Sequence, residues 1–186
     1  MERDVGRERV NDREFAPLNE SARHSLFTLP DPLGERWIVH ARALLDSFRD
    51  RTGAELLVRS DDPQDEAERL FGAPFVVVSH GVEPDPILNY GNAAALDLWQ
   101  MSPQELIATP SRLTAEPMLR DARERLLAEA ARRGFLASYS GVRISARGRR
   151  FRIHDATVWN VTGPDERLLG QAATFAHWTT LEADER

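Results

Sequence analysis

The run Arg150 to Val161 places a carboxylate and a hydroxyl inside an otherwise apolar alternation, RFRIHDATVWNV. As a strand it sets Phe151, Ile153, Asp155, Thr157 and Trp159 on one face, and Arg152, His154, Ala156 and Val158 on the other. With the first face inward, Asp155 and Thr157 are the few polar contacts that a mostly apolar small-molecule pocket requires. A carboxylate held there could also move a proton, which is the chemistry of an isomerase-like enzyme. A β-bulge near Asp155 would instead exchange the faces and return the carboxylate to solvent, and this is the preferred register. His154 and Asp155 are adjacent on the strand, so they cannot form a dyad with each other.

Other groups have a functional and a plainer use. In the last strand Gly170, Ala172, Ala173 and Ala176 are small and flank Gln171 and Thr174. Small side chains under a helix leave a cavity with a polar handle, or else let the helix pack close. Tyr90, Trp99, Trp159 and Phe135 could stack on a planar ligand, although aromatics at such spacings are commonly core. The candidate ligand contacts are therefore Tyr90, Trp99, Asp155, Thr157, Trp159, Gln171 and Thr174. Arg143, Arg147, Arg149, Arg150 and Arg152 cluster about one hairpin. They could bind an anion or an acidic partner; a solvated edge that discourages strand addition is the preferred use. His80, Glu83 and Asp85 share a loop without metal-site spacing, and no metal is assigned. The chain shows no phosphate-binding glycine loop, nucleophile elbow or metal-binding helix motif, so no catalytic residue is assigned.

The elements that must position these groups follow from pattern and punctuation. Trp37, Ala41, Leu44, Leu45 and Phe48 recur at helical spacing from Glu35 to Arg51, a stripe that must cover either the main core or the same helix of a second subunit. A shorter helix spans Asp65 to Phe71. Phe75 to Val78 and Ile87 to Tyr90 read as strands. Asn92 stands where a helix N-cap belongs, just after Gly91, and Ser102 with Glu105 forms a capping box behind Pro103. Leu119 to Arg133 is a helix with i,i+4 charge pairs on its outer face. Tyr139 to Ser145, Arg149 to Val161 and Leu168 to His177 form strands joined by the turns Ala146-Arg147-Gly148 and Gly163 to Glu166. Five strands with the helices grouped on one face make an α+β architecture.

Composition narrows the function classes. The 186 residues carry 30 acidic and 24 basic side chains, a net charge of −6 that argues against a general nucleic-acid binder. The absence of cysteine excludes disulfides, thiolate metal sites and a flavin–cysteine adduct, and fits a reducing cytoplasm. The charged N-terminus does not read as a secretory signal, and no apolar run approaches membrane-spanning length. A soluble cytoplasmic protein is expected, with a mobile charged segment over 1–25, a helical extension over 26–72, the main domain over 73–180 and a tail over 181–186.

The segment YGNAAALDLWQMSPQEL, set between the second and third strands, resembles the corresponding stretch of a PAS domain. More narrowly, PFVVVSHGVEPDPILNYGNAAALDLW, PSRLTAEP and GVRISARGRRFRIHDATVWNV with GQAATF resemble the MEKHLA domain, a PAS-like family. That resemblance implies a five-stranded antiparallel sheet in the order 2-1-5-4-3. It also implies a non-catalytic sensory or regulatory module that binds a small molecule, dimerises, or does both. A signal would leave through contact with an effector protein, since no output domain is recognisable. The ligand or cofactor stays unnamed, and a haem ligand is missing because Leu119 to Arg133 holds no histidine. A pocket-carboxylate enzyme and a purely structural dimerisation module are the alternatives.

Overall fold

In the computed structural model of this chain, residues 32–115, 128 and 132–181 are described. The expected mobile segment over 1–25, the tail beyond 181 and nearly all of the helix expected over Leu119 to Arg133 lie outside them.

The stripe at helical spacing forms α1, Pro32–Thr52, and α2 follows at Pro63–Phe71 with Asp62 capping its first turn. Strand β1, Val76–His80, pairs antiparallel with β2, Leu88–Gly91. Two short helices, α3 (Ala93–Trp99) and α4 (Pro103–Leu106), lead into a 3-10 turn at Ser111–Thr114. The remaining strands are β3 (Phe135–Ile144), β4 (Arg150–Thr162), β5 (Leu168–Phe175) and β6 (His177–Thr180). The order across the sheet is β2-β1-β5-β4-β3, every pair antiparallel, as the resemblance implied. Strand β6 carries on along β4 past β5: β5 pairs with Thr157 to Thr162, and β6 with Phe151 to His154.

The join between those two stretches of β4 is a bulge. Asp155 has φ 50°, a left-handed conformation that aspartate tolerates better than most residues, and its N–H donates to Ser140 Oγ at 3.4 Å. Against β3, Tyr139 faces Ala156 and Gly141 faces Ile153, so His154 and Asp155 together oppose Ser140 alone. The alternation therefore slips by one residue. Phe151, Ile153, Ala156 and Val158 are buried on one face, whereas Trp159 and Val161 are buried on the other. The arrangement with Asp155, Thr157 and Phe151 on a common inner face is corrected by this bulge, and Asp155 is exposed.

Each sheet face has its own core. On one, α1 and α2 contribute Trp37, Leu44, Leu45, Phe48, Leu70 and Phe71 against Val77, Tyr90, Trp159 and Ala172. Phe48 meets Trp159 edge-on at 5.0 Å, and the Trp159 indole N–H donates to Ser47 Oγ at 3.1 Å. Burying four such side chains of α1 is worth about 1.5–3 kcal/mol each. Of the two coverings that the stripe allowed, the structure shows the main core. Helices accordingly lie on both faces of the sheet, not on one. The reason is visible in β1, where the successive residues Val76 and Val77 are both fully buried and so each need a covering layer.

Asn92 explains the tight passage from β2 to α3. Its Oδ1 accepts from Ala95 N–H at 3.1 Å, the expected cap, and also from Val77 N–H at 3.0 Å. Its Nδ2 donates to Phe75 O at 2.7 Å and Leu70 O at 3.3 Å, so one buried amide ties α2, β1 and α3 together. At Gly91 an added Cβ would lie 2.5 Å from Leu106 Cδ1, so a side chain there would push the buried Leu106 side chain aside. The capping box of α4 is formed: Glu105 N–H donates to Ser102 Oγ, and Ser102 N–H donates to Glu105 Oε2 at 2.7 Å.

Candidate ligand-binding site

The second face of the sheet, under α3, holds a partly open cavity of about 50 Å³. Its floor is formed by Val78, Ala173, Val158 and Ile153 on strands β1, β5 and β4; Trp99 from α3 and Phe175 close one side, and Tyr139 and Arg143 from β3 the other. Trp99 is 3% exposed and stacks edge-on against Phe151 at 5.3 Å and Phe175 at 6.2 Å. Its indole N–H is buried with no hydrogen-bond partner among the described residues. Gln171 also lines the cavity and donates through Nε2 to Asn160 Oδ1 at 3.1 Å. No aspartate or glutamate is among the described residues that line it.

Strand β3 supplies the charged wall. Tyr139, Gly141 and Arg143 alternate along it; Arg143 Nη2 donates to the Tyr139 hydroxyl at 2.7 Å, with its guanidinium carbon 5.2 Å from the ring centre. A Cβ at Gly141 would fall 2.5 Å from that hydroxyl oxygen and 3.3 Å from an Arg143 nitrogen, so the pair in this arrangement uses the space that residue 141 leaves by lacking a side chain.

The candidate residues separate cleanly. Trp99 and Gln171 line the cavity. Trp159 belongs to the α1 core, and Thr157 and Thr174, paired across β4 and β5, alternate onto that same face. Tyr90 packs against Trp37 at 5.0 Å and His40 at 6.0 Å, also on the α1 side, where burial raises its hydroxyl pKa far above the ordinary value. Asp155 lies on the surface bulge. Reading the sequence missed Tyr139 and Arg143, because an arginine inside a run of arginines reads as solvated. The readable signal was Tyr139-x-Gly141-x-Arg143, two long polar-tipped side chains on one strand face with a glycine between them.

Further polar groups on the α1 side are committed to one another. His40 Nε2 lies 2.9 Å from Ser79 Oγ, which donates to Asn89 Oδ1 at 2.6 Å, and the Trp37 indole N–H donates to Asn89 O at 2.9 Å. Burial lowers the His40 pKa from 6.5 to about 4, so the imidazole is neutral at pH 7. In the β1–β2 loop, Asp85 is paired with Arg112 at 2.9 Å, and His80 Nδ1 lies 2.8 Å from Gly81 O. Among the described residues, no cluster of three or more metal-ligating side chains forms, and no helix is long and apolar enough to cross a membrane.

An antiparallel sheet in this order, with short capped helices over one face, is the PAS architecture. Solved structures of similar fold include the PAS domain of a Colwellia psychrerythraea protein (TM-score 0.52, 12% identity, covering 66% of this chain and 98% of that one). A light-oxygen-voltage domain from work with a flavin analogue is also similar (TM-score 0.50, 13% identity, 64% and 87% coverage). The chain belongs to the MEKHLA domain family, whose model matches residues 38–180 and so takes in most of α1. No curated protein matches the sequence.

The flavin of the light-oxygen-voltage neighbour suggests a fit test. Cofactor-sized ligands occupy pockets of roughly 300–1,000 Å³. The cavity of about 50 Å³ that Trp99, Tyr139 and Phe175 fill in does not match an isoalloxazine ring, and there is no cysteine to form an adduct.

Proposed function

We propose that this chain is a non-catalytic sensory or regulatory module that takes a small molecule into the cavity between the sheet and α3. The observation that carries the reading is the Trp99 indole N–H, a buried donor at the wall of that cavity without a partner among the described residues. A buried polar group left open costs about 1–3 kcal/mol, which a bound acceptor would recover. Strands β1, β4 and β5 carry the cavity on one face and α1 on the other. A ligand that favours one packing of the sheet thereby biases α1, and an effector protein reading that surface would complete a signalling route in the cytoplasm.

The apolar stripe of α1 that motivated a homodimer is covered within the chain, so a second copy would have to use another surface. The isomerase-like alternative depended on Asp155, and the bulge takes that carboxylate away from the cavity.

Native mass spectrometry of freshly purified protein, beside its denatured mass, tests the reading. A mass increment removed by denaturation, and reduced by Trp99→Phe, is the expected result. Bare chain only, both as purified and after incubation with a small-molecule extract of the source cells, would overturn it.

A further inference from the structure

Arg143 is 7% exposed, yet among the described residues no carboxylate pairs with it. Its hydrogen bonds run from Nη1 to Val142 O at 2.8 Å and from Nη2 to Tyr139 Oη, two of five N–H donors. Removing a cation from water without a counter-charge costs several kcal/mol. The neighbouring polar groups are donors as well. The Trp99 indole N–H has no partner, and Tyr139, having accepted from Arg143, keeps its own O–H proton with no acceptor among the described residues. Of the other polar side chains on the wall, Thr114 Oγ1 donates to Ser111 O, Ser79 Oγ to Asn89 Oδ1 and Gln171 Nε2 to Asn160 Oδ1, and His80 Nδ1 lies 2.8 Å from Gly81 O.

Resting on the reading that this cavity takes a small molecule, we propose that the molecule is a short-chain carboxylate anion, its carboxylate on Arg143 and its tail among Ile153, Val158 and Phe175. A guanidinium with two further donors beside it, and no carboxylate among the described lining residues, selects an anion over a cation or a neutral amide. Size selects a short one. A volume of about 50 Å³ is several times the roughly 10–15 Å³ that admits one water but falls far short of a drug-sized pocket. Gly141 serves as a positioning residue, since it leaves the space in which Tyr139 steers the guanidinium.

Calorimetric titration of the full chain with propionate and with propionamide is the test, accompanied by acetate, butyrate and hexanoate. Propionate should bind at least about tenfold more tightly than propionamide, the 1.4 kcal/mol that one charge-assisted contact readily supplies. Hexanoate should bind more weakly than butyrate. Arg143→Gln should abolish the preference for propionate over propionamide while raising the melting temperature of the unliganded protein, because it removes an uncompensated buried charge. Gly141→Ala should weaken propionate binding with the charge intact, and the comparison of propionate with propionamide on the unaltered chain needs no variant to fold. Equal binding of the two, or no propionate binding by a protein that carries a neutral co-purified adduct, would overturn this proposal and leave the sensory reading standing. No propionate binding and no adduct of any kind would overturn both.

Discussion

The two faces of one sheet are built to different standards. Under α1, large side chains interlock, and the Trp37, His40, Ser47, Ser79 and Trp159 polar atoms find partners on neighbouring elements, with the Tyr90 hydroxyl as the exception. Under α3, the packing stops short, leaving a cavity bordered by an unpartnered indole N–H and a buried guanidinium with no carboxylate partner among the described residues. Interiors are normally dense and their polar groups satisfied. One face thus holds the fold together, and the other, on the function proposed above, gives up some stability in return for a binding site.

Removing the α1 face should have the largest effect. A chain lacking residues 1–52 loses Trp37, Leu44, Leu45 and Phe48 and bares Trp159 and Val77, so circular dichroism should show loss of cooperative unfolding, with aggregation. A folded truncated domain with unchanged thermal transition would break the claim that this face is the structural one.

Asn92 sits where the layers meet, and Asn92→Ala should lower stability by about 3 kcal/mol in urea denaturation. A helix cap alone is worth about 1 kcal/mol, and the change also strands buried backbone groups of Phe75, Leu70 and Val77. A loss no greater than that of a solvent-exposed cap would count against the hub.

The same substitution made on each face sharpens the contrast. Trp159→Phe gives up a hydrogen bond and ring volume in a dense core and should cost about 2 kcal/mol. Trp99→Phe removes a donor that had no partner, so its cost should be less than half as large. Equal costs would mean that both faces are packed alike.

The smallest effect is one of pH. His40 stays neutral in the folded chain down to about pH 4, whereas in the unfolded chain it takes a proton near 6.5. The unfolded state therefore binds more protons between those values, and stability should fall as pH drops from about 6.5 toward 4 and stay level, for this group, above 6.5. For a half-buried imidazole the loss should be about 1 kcal/mol, and His40→Gln should flatten that part of the profile. An identical slope in the variant would assign it to other groups.

What could be read in the sequence divides along chemical lines. Local rules showed themselves: Asn92 and Ser102 announce caps, and the glycine turns announce the hairpins. The strand order came with the family resemblance. The stripe of α1 was legible as a stripe, but periodicity does not say which surface a stripe meets. The slip at Asp155 left no mark beyond an aspartate, which tolerates positive φ, in a long strand. Five of the seven candidate contacts missed the cavity for that reason and because a sheet buried on both faces makes inward-facing ambiguous. Arg143 was hidden by its neighbours, since Arg147, Arg149 and Arg152 are exposed as charge runs usually are.

The contrast between the faces can be watched directly through the indole N–H signals of the four tryptophans in a ¹⁵N-correlated spectrum. Screening a library of small charged and neutral fragments, the account predicts that binding fragments move the Trp99 signal and leave those of Trp37 and Trp159 in place. Fragments that shift Trp37 or Trp159 while Trp99 stays still, or a library in which nothing reaches Trp99, would contradict the placement of the binding site between the sheet and α3.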